Sequence, residues 1–170
     1  MQVLPSKLLV VLARHAERDY IANLPDPEQP LTQKGQRTAY ALGEKLAQRL
    51  TNTPVPFVFS SPYRRCQQTA HLLATYLSPK AGVRSVDSLA VSPDEQASEA
   101  VGWTLRLLAS NLEAGCLVLV GHQPEILVIS QRLSGTALLL RPGEAAGLEL
   151  SPKDGLWQVG TAQLLWRLKG

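Results

Sequence analysis

"LLVVLARHAERD" (residues 8–19) runs five apolar residues and an alanine straight into Arg14, His15, Glu17 and Arg18. Residues 7–13, apolar without a break from Leu8, read as a strand buried on both faces, the kind found in parallel sheets flanked by helices. Charges after such a run often mark only where the strand meets water. Open α/β sheets, however, collect ligands at the carboxyl ends of their strands, so an arginine and a histidine at that point are also candidates for a site.

Working outward, "VPFVFSSP" (55–62) and "CLVLVGHQP" (116–124) repeat the theme of an apolar run ending on polar residues. Periodic segments lie between them. "NLPDPEQPLT" (23–32), with three prolines in ten residues, predicts an extended loop, and Thr32 is a natural N-cap for the next segment. There Ala39, Leu42, Gly43, Leu46 and Leu50 share one helical face. A second helix is expected over 63–77 with Ala70, Leu73, Ala74 and Leu77 inward, then a short strand over 83–86. Helices over about 94–112 (Val101, Leu105 and Leu108 inward) and 124–134 follow. The tail, 145–168, reads as two strands joined by a turn around Lys153 to Gly155. The alternation predicts one domain, residues 1–170, folded as a three-layer α/β/α sandwich with a mainly parallel central sheet.

Composition narrows the function classes. Of 170 residues, 45% are hydrophobic and 18% charged, which fits a globular chain and excludes a disordered one. The longest apolar runs are strand-sized, so no membrane partner is expected. No small-residue cleavage site follows the first run, so no signal peptide is expected. The net charge is +3, but the basic residues are scattered and only 5% of residues are aromatic. That argues against nucleic acid and suits a small anionic ligand. Cys66 and Cys116 fall in different elements, consistent with reduced thiols and a cytoplasmic location. His15, His71 and His122 have no local metal-ligand spacing, there is no C-x-x-C and there is no P-loop, so neither metal nor cofactor is expected. His71 is expected to be structural or on the surface.

Three apolar strands thus end alike: on Arg14-His15, on Ser60-Ser61 with Arg64-Arg65 just beyond, and on Gly121-His122. Parallel strands put their carboxyl ends on one edge, so two histidines and an arginine pair converge there. "RHAE" (14–17), "LTQKG" (31–35), "SSPYRRCQQTA" (60–70) and "VGHQP" (120–124), in that order, resemble the histidine phosphatase superfamily. The short chain and "GHQPEI" resemble its SixA-type phosphohistidine phosphatase branch. The resemblance implies the phosphoglycerate mutase-like fold, His15 as nucleophile, Arg14 and Arg65 as phosphate-binding groups and His122 as the second histidine. Arg64 falls on a variable position of the family pattern. Ala16 stands where the family usually has glycine, and Cys66 where it usually has alanine.

Phosphoryl transfer spreads charge over three equatorial oxygens, which two arginines and a protonated or donor-oriented His122 could hold. Neighbouring arginines would keep the His15 ring neutral and nucleophilic. With cationic side chains supplying the charge, no metal is required. Glu17, Asp94 and Glu95 are the candidate proton donors, although Asp94 and Glu95 also suit the start of a helix. An imidazole leaving group needs little acid assistance, so a protein phosphohistidine, on a phosphotransfer domain or similar carrier, is the first expected substrate. The absence of room for a large lid points the same way. The alternatives are a phosphatase for small phosphate monoesters and a non-catalytic module that binds phosphorylated ligands.

Overall fold

The apolar runs prove to be buried from both sides. In the computed structural model, which describes residues 6–91, 96–110 and 115–170, a six-stranded sheet runs through the molecule in the order β3-β2-β4-β1-β5-β8. Its strands are β1 (Leu8–Arg14), β2 (Val58–Ser60), β3 (Val83–Ser85), β4 (Cys116–Gly121), β5 (Glu144–Leu150) and β8 (Gln163–Lys169). β1, β2, β3 and β4 pair in parallel, whereas β5 lies antiparallel to both β1 and β8.

Side chains alternate across each strand, and here both faces are apolar. Leu8, Val10 and Leu12 of β1, with Leu117 and Leu119 of β4, join one core cluster with Ile126, Ile129 and Leu133 of α4 (Glu125–Ser134) and Leu108 of α3 (Gln96–Ser110). Val11, Ala13, Val118 and Val120 join the other, with Leu42 and Leu46 of α1 (Gln33–Arg49) and Leu73 of α2 (Arg64–Leu77). Helices therefore cover both faces, and the three-layer sandwich with a mainly parallel sheet is the observed fold. Val101 and Leu105 of α3 are only partly buried against their cluster. Thr32 caps α1 as expected, its hydroxyl accepting the Gly35 N–H at 2.9 Å.

Two local expectations need correcting. The tail does not fold into two strands joined by the turn at 153–155. β5 and β8 pair directly, and that turn closes a separate small hairpin of β6 (Pro152–Lys153) and β7 (Leu156–Trp157). Asp154 and Gly155 take φ of 52° and 76°, the pair of positive φ values that a tight two-residue hairpin turn favours. The proline-rich loop is not wholly extended either, because Asp26–Glu28 form one 3₁₀ turn.

Candidate active site

Strand register builds the site. Arg14 of β1 pairs with Gly121 of β4, so the next residues, His15 and His122, leave adjacent strands side by side. The His15 N–H extends the ladder by donating to the Gly121 carbonyl (3.0 Å), and the Ser61 N–H does the same from β2 to the Val120 carbonyl (3.0 Å). His15, His122 and Ser61 thus stand at one edge although they are far apart in sequence. The two imidazole centroids are 5.2 Å apart, edge to face.

His15 is only 7% exposed. Its Nδ1 lies 2.7 Å from the Ala16 carbonyl oxygen, which can only accept, so Nδ1 carries the proton and Nε2 keeps its lone pair. Burial first, then the charges of Arg65, Arg14 and Arg18, push its pKa down to about 4, against the Ala16 hydrogen bond, which raises it. The ring is therefore neutral near pH 7, with one nitrogen free to attack. Ala16 itself is fully buried, its N–H donates to Thr69 Oγ1 (3.1 Å), and it is not among the described residues with positive φ. The alanine therefore fits without backbone strain.

The two arginines in tandem part company. Arg64 is exposed, whereas Arg65 is 4% exposed and turned into the site. Arg14 Nη1 donates to the Leu140 carbonyl (2.9 Å), and Arg65 is held by Asp26 through both terminal nitrogens. The Nε atoms of Arg14 and Arg65 are buried and have no acceptor among the described residues. Buried guanidinium donors are costly to leave unpaired, so a site that keeps two of them is suited to an oxyanion.

His122 is 2% exposed, and burial, then His15, then the arginines, depress its pKa to about 2. Before any anion arrives it is a neutral ring, so the protonated form expected as one option is not the resting one. Its Nε2 is 2.8 Å from Ser61 Oγ, and Cys66 Sγ lies 3.4 Å from the same nitrogen. Burial drives the Cys66 thiol up to about 12, so it acts as packing and not as a nucleophile. Tyr63 sets its ring edge-on to His122 at 4.8 Å and under the Arg65 guanidinium at 4.9 Å.

Of the three candidate proton donors, Glu17 is the one described. Glu17 accepts hydrogen bonds from Thr32 Oγ1 (2.9 Å) and Lys34 Nζ (3.2 Å), which hold it below the usual carboxylate range. It is an ionised partner of the α1 N-terminus, poorly placed to give up a proton. Asp94 and Glu95 lie outside the described residues. Sequence reasoning passed over Tyr63, Asp26 and Glu125, and gave Ser61 no role beyond its place at a strand end. Glu125, in the first turn of α4, is 1% exposed. Its charge adds to burial in raising both the Tyr63 phenol and the Cys66 thiol. His71 is exposed, its Nδ1–H donating to the Gln67 carbonyl, away from the other histidines. Among the described residues no group of histidines, cysteines and carboxylates is arranged to hold a metal ion, and both cysteines are free.

Residues 10–90, which carry His15 and Arg65, match the family model of the histidine phosphatase superfamily, branch 1. Those residues are just under half of the chain, and over them it is similar to the histidine phosphatase superfamily. Among solved structures, the protein histidine phosphatase SixA complexed with tungstate is similar at 17% identity and a TM-score of 0.76, over 95% of this chain and 97% of that one. A mycobacterial glucosyl-3-phosphoglycerate phosphatase is similar at 19% identity and a TM-score of 0.68, over 90% and 97%. A phosphoglycerate mutase from Plasmodium falciparum is similar at 18% identity and a TM-score of 0.66, over 95% and 96%. At such identities the likeness is one of fold. No curated protein matches the chain. The match to that family model supports phosphatase activity. Because all three neighbours align along nearly their whole length, compactness does not choose among their substrates.

Proposed function

We propose that the chain is a metal-independent phosphatase that takes the phosphoryl group of a protein phosphohistidine onto His15 Nε2 and passes it to water. The observation that carries this reading is the His15 ring itself: buried, held neutral, protonated on Nδ1 by its bond to Ala16, and flanked by Arg14, Arg18 and Arg65. Nε2 attacks phosphorus as the bond to the leaving group breaks. Arg14 and Arg65 offer their Nε–H groups to the equatorial oxygens, and His122 faces the same space. The phosphohistidine so formed is then attacked by water, which returns His15 and releases orthophosphate.

Proton supply favours the leaving group. Glu17 is committed to Thr32 and Lys34, and His122 is neutral, so an alkoxide would leave with little help from either. An imidazole leaves without strong acid assistance. A phosphotransfer domain or a similar phosphohistidine carrier, met in the cytoplasm, is the partner this reading implies. The test compares kcat/KM on a phosphohistidine protein with that on a panel of phosphate monoesters, and traps label on the enzyme without acid. Label on His15, lost with activity in His15→Ala, supports the mechanism. A monoester preferred by more than about tenfold would replace the protein substrate by a small one.

A further inference from the structure

The end of the Arg65 guanidinium is already occupied. Nη1 donates to the Asp26 carbonyl oxygen at 2.8 Å and to the carboxylate Oδ1 at 3.4 Å, while Nη2 donates to Oδ2 at 3.1 Å. Arg18 Nη1 meets the same Oδ1. A guanidinium is a rigid plane of five N–H groups with more than one edge able to grip an oxyanion. Asp26 takes the edge formed by Nη1 and Nη2. The edge that includes Nε is left, and that Nε is buried without an acceptor among the described residues.

The turn that carries Asp26 is tightly built. Pro25 and Pro27 flank it and fix their own φ. Gln29, 2% exposed, accepts from the Ile21 N–H (2.8 Å) and donates to the carbonyls of Ile21 (2.9 Å) and Leu24 (2.8 Å). The Asp19 N–H donates to the Pro30 carbonyl at 2.7 Å, closing the base of the loop. A carboxylate pinned in this way can fix the plane of the arginine it holds.

The geometry points to Asp26 as a positioning residue of the phosphate site: it grips the end of Arg65 so that the Nε edge is presented to the phosphoryl oxygens, with Arg18 sharing its charge. This rests on the phosphatase reading above. A carboxylate that instead occupied Arg65 as a rival anion would have the opposite effect, because its removal would tighten oxyanion binding. The free Nε edge favours positioning.

Orthophosphate affinity of the full chain, by titration calorimetry, separates the two. Asp26→Ala is expected to weaken binding about tenfold, the scale of a lost charge-assisted hydrogen bond. Asp26→Asn, which keeps the shape, serves as the second variant should the alanine chain fold poorly, and it should weaken binding in the same direction. Asp26→Glu should recover most of the loss. In an Arg65→Ala background, Asp26→Ala should change affinity by less than about twofold, because Asp26 acts through Arg65. Tighter or unchanged binding in both Asp26→Ala and Asp26→Asn, or an equal loss without Arg65, would overturn the assignment. A wild-type chain that does not bind orthophosphate at all would sink the phosphatase reading with it, whereas wild-type binding that Asp26 does not influence would remove only the role given to Asp26.

Discussion

The charge state of His15 is open to direct measurement. A solvent-exposed histidine with a pKa near 6.5 would be protonated in about a quarter of molecules at pH 7. With the pKa pushed to about 4, the protonated fraction falls to roughly one in a thousand, so the proposed nucleophile is neutral in nearly every molecule. Burial is the leading cause, and Arg65, Arg14 and Arg18 add to it. Arg65→Gln should therefore raise the value by less than about one unit and leave it below 6.5, because burial remains.

Stability must follow the same ring. As pH falls through 6.5, His15 of the unfolded chain takes up a proton, while the folded ring stays neutral until about pH 4. The unfolded state binds more protons in that window, so the full contribution is present above about pH 6.5 and declines from there to about pH 4. For a ring this buried the loss amounts to about 3 kcal/mol. His122, depressed to about 2, acts in the same sense and continues to lower pH. Nitrogen-15 NMR of the histidine rings between pH 3.5 and 8 reads both the midpoint and the tautomer. A His15 midpoint at or above 6.5, or a neutral ring protonated on Nε2, would refute the picture of a preformed nucleophile.

Other expectations can be checked more briefly. Arg65→Ala should reduce kcat/KM by about a hundredfold or more, whereas exposed Arg64→Ala should change it less than about threefold; the reverse order would mean that the wrong arginine has been assigned. Dialysis against a strong chelator should leave activity intact, and a loss restored by zinc or magnesium would contradict the arginine-based mechanism. A methyl group at Gly35 would overlap the Glu17 carbonyl oxygen, so Gly35→Ala should destabilise the fold by about 1–3 kcal/mol and lower kcat by displacing the segment that follows His15. Unfolding curves and steady-state rates on the same preparation test both halves.

What could be read from the sequence is what backbone topology controls. The runs over Leu8–Arg14, Val58–Ser60 and Cys116–Gly121 are apolar on both faces because helices cover both, and each is followed directly by a polar residue. Once the strands are parallel and in register, the residues just past their ends must meet, which is why His15, His122 and Ser61 were within reach of a sequence argument. Arg65 was singled out by the family pattern that residues 60–70 resemble, and it lies in the first turn of α2. Carboxylates on loops obey no such rule. Nothing in the spacing of Glu17, Thr32 and Lys34 announces that the first is committed to the other two, since the loop between them folds back by contacts that carry no period. Asp26 and Arg65 are 39 residues apart and meet only because the proline-flanked turn lands over α2. A faint signal was present in Pro25-Asp26-Pro27, where an acid between two residues of fixed φ has few conformations to lose. Such an acid is cheap to hold in place, and a charge that is cheap to hold is well suited to aligning an arginine of the proposed phosphate site. The histidines are thus set by the sheet, while the orientation of the arginine that faces them is set by a loop whose rigidity is written in its prolines and in Gln29.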